Sequence, residues 1–208
     1  MKQEMFKNMA FLLVDPYNDF LSEGGKLWPL TQKTVVNVNL VAQLKTLLEE
    51  SRKHDVQVIF VPHKQSTSAD YLNWKYLSPT QQGSKKYMLF EKGSWGGEFH
   101  NELVPIQGDI VAQNHWGGSG FAGTDLDLIL RMRHIDHLVI AGMRANTCID
   151  TTARYAVELG YHVTLISDAV AGFNNEEIDA TVRINFPSYG HAVTTVAEFV
   201  ATLSMGSK

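Results

Sequence analysis

The stretch HLVIAGMRANTCIDTTARYAVEL, residues 137–159, decides the fold. It begins with a nearly continuous apolar run, which predicts a buried β-strand. A turn of five residues follows, and the segment from Ile149 onward is typical of a helix. A strand that leads directly into a helix is the repeating unit of parallel sheets covered by helices.

Cys148, the only cysteine in the chain, lies at the start of the predicted helix. A thiol in this position faces free backbone N–H groups and the positive end of the helix dipole. Both favour the thiolate, which is the nucleophilic form. A buried cysteine that packs as a small hydrophobic residue would fit the same position, so the position alone leaves both roles open.

Apolar runs of strand length recur along the chain and alternate with longer segments of helical period. The predicted strands are 10–14, 56–61, 109–113, 137–141, 163–166 and 192–195, and predicted helices include 35–52, 69–76, 149–159, 176–185 and 196–203. This alternation predicts one α/β domain over residues 1–208. Its architecture is expected to be three-layer α/β/α, around an open, doubly wound, mostly parallel sheet of about six strands.

The composition limits which binding partners and which cellular compartment are expected. A net charge of −4 without a cluster of Lys or Arg gives no reason to expect a nucleic-acid partner. A single cysteine excludes an intramolecular disulfide and fits a reducing compartment. No apolar run reaches membrane-spanning length, and the first residues lack the apolar core of a signal peptide. We therefore expect a cytoplasmic protein that contacts neither membrane nor nucleic acid.

Residues 64–103 interrupt the regular alternation of strands and helices. A connection of this length without secondary structure is uncommon in a compact domain, and long loops often cover functional sites. We expect an irregular segment over 64–103 that covers the site and contains a helix near Ala69–Tyr76.

The glycines of GSGFAG, residues 118–123, match G-x-G-x-x-G, a pattern that binds dinucleotides in a tight strand-to-helix turn. Here four residues separate the predicted strand from the pattern, and no acidic residue ends the next strand. A flexible glycine turn is therefore favoured, and no cofactor is expected. A metal site is not expected either, because the histidines are scattered and His63 lacks a carboxylate two residues before it. His63 is instead expected to form hydrogen bonds in the wall of a site.

Three polar segments fall where predicted strands end: Asp15, residues 114–116, and the turn before Cys148. In open parallel sheets, ligands bind beyond the carboxyl ends of the strands. A carboxylate beside a thiol can accept its proton and later return it to a leaving group. Pro16 follows Asp15, so an aspartate that only caps a turn would look the same.

Five stretches together resemble the isochorismatase-like cysteine hydrolases, over about residues 9–202. They are LLVDPYNDF at 12–20, GTDL at 123–126, GMRANTC at 142–148, TARYA at 152–156 and GYHVTLISDA at 160–169. The order and spacing of these stretches in one chain carry the resemblance.

The resemblance implies the three-layer fold and a homo-oligomer, a dimer or a tetramer. It implies hydrolysis of a small amide, carbamoyl or related C–N substrate through a covalent acyl-enzyme intermediate. Cys148 matches the family nucleophile, and Asp15 matches the catalytic acid and base. The turn before the nucleophile often holds a cis peptide bond, here between Met143 and Arg144. The backbone N–H groups of Arg144 and Cys148 would form the oxyanion hole.

The third catalytic residue of the family, a lysine at the end of the third strand, is missing from this chain. Counting forward from Gly108 places Asn114 in its position, whereas counting back from Phe121 places His115 there. Adjacent residues of a strand point to opposite sides, and we expect Asn114 to face the site as the third catalytic residue. The alternatives are a Cys–His pair made by His115, or movement of Lys92 into the site.

The expected substrate contacts combine aromatic and polar side chains, and they are Phe20, Trp95, His115, Trp116 and Asn146. The aromatic rings would suit a planar acyl group, although each would serve equally in a core or a subunit interface. Arg144, like Asn146, lies in the nucleophile turn and is placed to contact a polar part of the substrate. Because the lysine is missing, the alternative function is that of an inactive relative that binds a small ligand without turnover.

Overall fold

A computed structural model describes residues 6–206 of the chain. Within these residues, six strands form one sheet: β1 (Met9–Val14), β2 (Gln57–Val61), β3 (Ile110–Val111), β4 (His137–Gly142), β5 (His162–Val170) and β6 (Ala192–Thr194). Their order is β3-β2-β1-β4-β5-β6, and every pairing is parallel. The direction of winding changes between β1 and β4, which makes the gap beyond these two strands the expected place for a site. The predicted doubly wound α/β sheet is confirmed.

The helices cover both faces of the sheet, and none of those described is long and apolar enough to cross a bilayer. They are α1 (Asn18–Leu21), α2 (Trp28–Asn37), α3 (Leu40–Lys53), α4 (Pro79–Tyr87), α5 (Leu126–Met132), α6 (Asp150–Glu158), α7 (Asn175–Asp179) and α8 (Val196–Gly206). Turns of π-helix precede α6 at Ala145–Ile149 and follow α7 at Ala180–Asn185. Short 3₁₀ turns lie at Trp95–Gly97 and Phe186–Ser188.

Alternate residues of β1 belong to opposite hydrophobic cores. Phe11 and Leu13 pack in the core with residues of α2, α3 and α8, whereas Leu12 and Val14 pack in the core with residues of α5 and α6. All four side chains are fully buried. Because both faces of the strand are covered, its sequence is a continuous apolar run rather than an alternating one.

The structure divides one predicted helix and shortens one predicted strand. The helix expected over 35–52 is interrupted, because Asn39 has a left-handed φ of 51° that no α-helix accommodates. The strand expected over 109–113 is regular only at Ile110–Val111. Here β3 is an edge strand with one neighbour, so little backbone pairing extends it.

The helix expected near 69–76 does not form, because Tyr71 and Asn73 have left-handed φ values of 60° and 63°. The helix of this segment is α4, which begins after Ser78. The Ser78 side chain accepts a hydrogen bond from the Gln81 backbone, and the Gln81 side chain accepts one from the Ser78 backbone. This reciprocal capping box, with a proline at the first helical position, fixes the start of α4.

Two glycines of the G-x-G-x-x-G pattern allow close packing against α6 and β2. A Cβ atom at Gly120 would lie 2.4 Å from Cγ1 of Val61, and one at Gly118 would lie 2.9 Å from Oγ1 of Thr151. The backbone N–H of Gly120 also donates a hydrogen bond to Oγ1 of Thr152 at 2.9 Å. Close packing of this loop therefore explains the glycines at positions 118 and 120.

Gly142 is the last residue of β4, and we expect the close approach of β4 to β1 to require a residue without a side chain at this position. Gly142 has a φ of +122°, and a Cβ atom there would lie 2.2 Å from the carbonyl oxygen of Val14. We expect Gly142→Ala to lower the free energy of unfolding by about 3 kcal/mol, measured by urea denaturation. Gly108→Ala is the matched control, because Gly108 has a φ of +102° but no neighbour within 4 Å. A loss of only about 1 kcal/mol is expected there, and equal losses in the two variants would contradict the close-approach explanation.

Candidate active site

Asp15 follows β1 directly and is fully buried. Its Oδ1 accepts a hydrogen bond from the His63 backbone N–H at 2.6 Å and contacts Nε2 of His115 at 3.1 Å. Its Oδ2 has no hydrogen-bond partner among the described residues. One carboxylate oxygen is thus held in place by two contacts.

Cys148 lies in the π-helical turn between β4 and α6, and its side chain meets Asp15 at the switch point of the sheet. A carboxylate oxygen of Asp15, a ring nitrogen of His115 and the sulfur of Cys148 all lie within 4.8 Å of one another. The Thr147 hydroxyl lies 3.9 Å from the sulfur. The preceding peptide bond between Met143 and Arg144 is cis, as the resemblance implies.

The resting sulfur of Cys148 is a thiol. Burial raises the pKa of Cys148 well above its ordinary value, and the Asp15 carboxylate raises it further. The Arg144 backbone N–H and the Thr147 hydroxyl favour the thiolate, but they do not outweigh these two effects. The thiolate expected from the helix N-terminus is therefore corrected, because burial beside an anion opposes a second negative charge.

His115 is fully buried, and both of its ring nitrogens face oxygen acceptors. Nδ1 lies 2.7 Å from the carbonyl oxygen of Gly117, and Nε2 lies 3.1 Å from Oδ1 of Asp15. Two hydrogen bonds to such acceptors require a hydrogen on each nitrogen, so this arrangement favours the imidazolium form of the ring. Burial lowers the pKa of His115, but the Asp15 carboxylate and the backbone carbonyls outweigh burial and leave that pKa above its ordinary value.

The same three side chains could in principle bind a metal ion. Asp, His and Cys side chains are all metal ligands, and these three are close enough to share an ion. A histidine ligand needs a nitrogen lone pair, however, whereas the two oxygen acceptors beside His115 favour a hydrogen on each of its nitrogens. The hydrogen-bonded group is therefore favoured over a metal centre, and the absence of a cofactor stays a prediction.

The structure places His115, rather than Asn114, beside Asp15. Nδ2 of Asn114 donates a hydrogen bond to the carbonyl oxygen of His63 at 3.0 Å, and the Tyr17 hydroxyl donates to the same oxygen at 2.7 Å. The backbone of His115 pairs with that of His63 in a parallel bridge. The chain is extended there, so the side chains at 114 and 115 point to opposite sides. Asn114 therefore supports the loop from outside the site, and the expectation that it faces the cysteine is corrected.

A cavity of about 330 Å³ lies over Asp15 and Cys148. Its walls are mostly apolar, with Phe20 and Phe90 on one side and residues of α4 on another. Helix α4 belongs to the irregular segment expected over 64–103, and it forms part of the cover of this cavity. Lys92 is exposed and does not line the cavity, so the structure does not bring it to the cysteine.

Among the remaining predicted substrate contacts, only Phe20 lines this cavity. Trp95 is half exposed and borders a separate cavity of about 710 Å³, which Asn114 also lines. Trp116 packs against the ring of Trp74, with 5.3 Å between the ring centroids. Asn146 is exposed on the outer side of the nucleophile turn. The sequence pattern does not reveal where these three side chains lie.

Several cavity residues escaped the sequence analysis. Phe173 follows the carboxyl end of β5, and Thr147 immediately precedes the nucleophile. The strand-end rule that selected Asp15 points to the first of them, and proximity in sequence to Cys148 points to the second. Phe90 has no such signal, because the irregular segment brings it to the site. His63, expected as a hydrogen-bonding wall residue, lines the cavity and donates to Asp15 through its backbone.

Comparison with known proteins identifies the family of this chain. A model of the isochorismatase domain matches residues 9–198. The chain is 38% identical over 169 residues to the uncharacterized isochorismatase family protein YwoC of Bacillus subtilis strain 168, covering 79% of this chain and 86% of that protein. It is 29% identical over 210 residues to the ureidoacrylate amidohydrolase RutB of Caulobacter segnis, covering 94% of this chain and 86% of that protein.

Among solved structures, a cysteine hydrolase from Pseudomonas syringae pv. phaseolicola 1448A has the same fold. The two chains superpose with a TM-score of 0.81 at 24% sequence identity, covering 96% of this chain and 94% of that one. The family resemblance inferred from the sequence is confirmed. The chain belongs to the isochorismatase family.

Proposed function

We propose that this chain is a cysteine-dependent hydrolase of a small amide, carbamoyl or related C–N substrate, and that it needs no metal or cofactor. The observation that carries the proposal is the meeting of Asp15, His115 and Cys148 within 4.8 Å under a largely apolar cavity. The isochorismatase family contains amidohydrolases, of which the similar ureidoacrylate amidohydrolase is one. This membership supports hydrolysis of a non-peptide C–N bond.

The first step is attack of the Cys148 sulfur on the carbonyl carbon of the substrate. Because the resting sulfur is a thiol, its proton must leave as the S–C bond forms, and the Asp15 carboxylate, with one oxygen within 4.8 Å of the sulfur, is the proposed acceptor. The carbonyl oxygen becomes an oxyanion. The backbone N–H groups of Arg144 and Cys148 lie in the nucleophile turn and are the proposed donors to that oxyanion.

The second step releases the nitrogen. Asp15 returns the proton to the leaving nitrogen as the C–N bond breaks, which yields an amine or ammonia and a thioester-like acyl-enzyme on Cys148. A water molecule then attacks the acyl carbon while Asp15 accepts its proton. The acid product leaves, and the thiol re-forms with that proton.

The imidazolium of His115 replaces the positive charge of the missing lysine. A unit charge about 4 Å from an anion contributes on the order of 4 kcal/mol at an effective dielectric constant near 20. The cation holds Asp15 by a hydrogen bond and stabilises the negative charge that passes among Asp15, the sulfur and the oxyanion. This replacement favours an active enzyme over the inactive relative that the missing lysine suggested.

A hydrolysis screen combined with mass spectrometry tests the proposal. Purified protein is incubated with a panel of small amides, N-carbamoyl compounds and ureas at near-neutral pH, and released ammonia is measured. We expect turnover of at least one class, a mass increase on the peptide containing Cys148 after rapid acid quenching, and no loss of activity with EDTA. Turnover that persists unchanged in Cys148→Ala, or no turnover across the panel, would contradict the proposal.

The compartment and the assembly stay predictions. We propose a cytoplasmic homo-oligomer, a dimer or a tetramer, whose partner is a small-molecule substrate rather than a membrane or a nucleic acid. The family resemblance and the single cysteine support this proposal. Sedimentation equilibrium of the purified protein measures the oligomeric state directly.

A further inference from the structure

The side chain of Arg144 lines the cavity and contacts Thr147, Glu177 and Phe173. Its Nε lies 3.3 Å from Oγ1 of Thr147 and 3.7 Å from Oε2 of Glu177. Its guanidinium carbon lies 4.0 Å from the centroid of the Phe173 ring. The two terminal nitrogens, Nη1 and Nη2, have no hydrogen-bond partner among the described residues. The side chain as a whole is only 14% exposed.

Among the described residues that line the cavity, Arg144 is the only lysine or arginine. Glu177 leaves the terminal nitrogens of Arg144 without a partner. Its Oε2 already accepts the Phe173 backbone N–H at 2.9 Å and lies nearest to Nε of Arg144. Stacking on Phe173 restricts the plane of the guanidinium. The cavity therefore presents a positioned, incompletely paired cation in mostly apolar surroundings.

We propose that Arg144 binds a carboxylate of the substrate, and that the enzyme selects small amides or N-carbamoyl compounds that are themselves carboxylic acids. A planar guanidinium with free terminal N–H groups matches a carboxylate in two parallel hydrogen bonds. Arg144 and Cys148 belong to one turn, so the carboxylate lies only a few atoms from the carbonyl under attack. This inference rests on the proposed function, since it names the substrate class of the same site.

The test uses two substrates that differ in one charge, N-carbamoylglycine and its neutral amide. For the wild-type chain we expect a KM at least about 30-fold lower for the acid, because a cation with unpartnered terminal nitrogens in mostly apolar surroundings favours an anionic partner. Arg144→Gln is expected to remove that difference, because it raises the KM for the acid far more than the KM for the amide. Arg144→Lys keeps the positive charge but lacks the planar guanidinium, so we expect an intermediate KM for the acid. Arg183→Gln is the control, because the side chain of Arg183 is 78% exposed and pairs with Asp179.

A binding experiment separates failure of this inference from failure of the proposed function. Calorimetry with the Cys148→Ala chain measures the affinity for the acid and for the amide without turnover. The inference is supported if Cys148→Ala binds the acid more tightly than the amide and if Cys148→Ala/Arg144→Gln does not. This holds even if the enzyme hydrolyses neither compound. Equal affinity for the two compounds, or preference for the acid that survives Arg144→Gln, would overturn it. If Arg144→Gln fails to fold, the Arg144→Lys result decides: a KM ratio equal to that of the wild type overturns the bidentate contact.

Discussion

Cys148→Ala, Asp15→Asn and the double variant are each expected to lower kcat by about 10⁴-fold, and the double variant no further than either single one. The reason is that the two side chains act in one step. Without the sulfur no acyl-enzyme forms, and without a carboxylate the thiol cannot lose its proton, because its pKa lies well above the ordinary value. Two groups that act as a unit are strongly non-additive, and removal of one already removes the contribution of both.

Steady-state ammonia release by the three variants checks this expectation. Asp109→Asn is a matched control, because the Asp109 side chain is only 4% exposed and pairs with Arg52 far from the cavity. We expect this control to lose stability but to keep its kcat within about threefold. If Asp15→Asn retained kcat within tenfold of the wild type, or if the two single effects multiplied in the double variant, the shared proton transfer would be contradicted.

His115→Gln is expected to lower kcat/KM by about 100- to 1000-fold, whereas His115→Lys is expected to stay within about tenfold of the wild type. Glutamine still donates a hydrogen bond toward Oδ1 of Asp15, so it tests the loss of charge with the hydrogen bond kept. Lysine restores the cation that the family resemblance places at this position. The comparison therefore separates the charge of His115 from its shape.

Thermal unfolding of both variants provides the control for the His115 series. Each replacement disturbs a fully buried ring, and we expect both to lower the melting temperature by a similar amount. A purely structural role for His115 would make the loss of activity follow the loss of stability, with lysine as harmful as glutamine. Such a result would contradict the assignment of the imidazolium as the replacement for lysine.

The sheet and the pair of Asp15 and Cys148 could be predicted from the sequence. Strands buried on both faces are continuous apolar runs, and the carboxyl ends of parallel strands meet at one edge. Residues directly after β1 and β4 must therefore come together, whatever the intervening loops do. The path of the long segment between β2 and β3 is different, because left-handed residues and a proline-initiated helix determine it, and so the positions of Trp95 and α4 could not be derived.

For a related reason, the sequence could not decide whether Asn114 or His115 occupies the position of the family lysine. The two counts that place one or the other in the lysine position differ by a single residue, and β3 is too short to fix the register by its apolar pattern. Backbone pairing between His63 and His115 settles it in the structure. The protonation state of Cys148 could not be predicted from the sequence either, because it depends on burial beside Asp15 rather than on the start of a helix.

The pH dependence of kcat/KM for the wild type and for His115→Lys tests most directly whether a buried imidazolium activates this site. The groups that face the ring are Asp15, His63 and Cys148, and neither His63 nor Cys148 produces a fall in activity at alkaline pH. Burial and the charge of His115 lower the pKa of His63, so that ring is already neutral, and ionisation of the Cys148 thiol would raise its nucleophilicity.

We therefore predict that wild-type kcat/KM falls as the pH rises through the raised pKa of His115, because the cation is lost there. In His115→Lys this fall should move to higher pH, since the ordinary pKa of a lysine amine is about 10.4. An alkaline fall at the same pH in both proteins, or none in the wild type, would contradict the account.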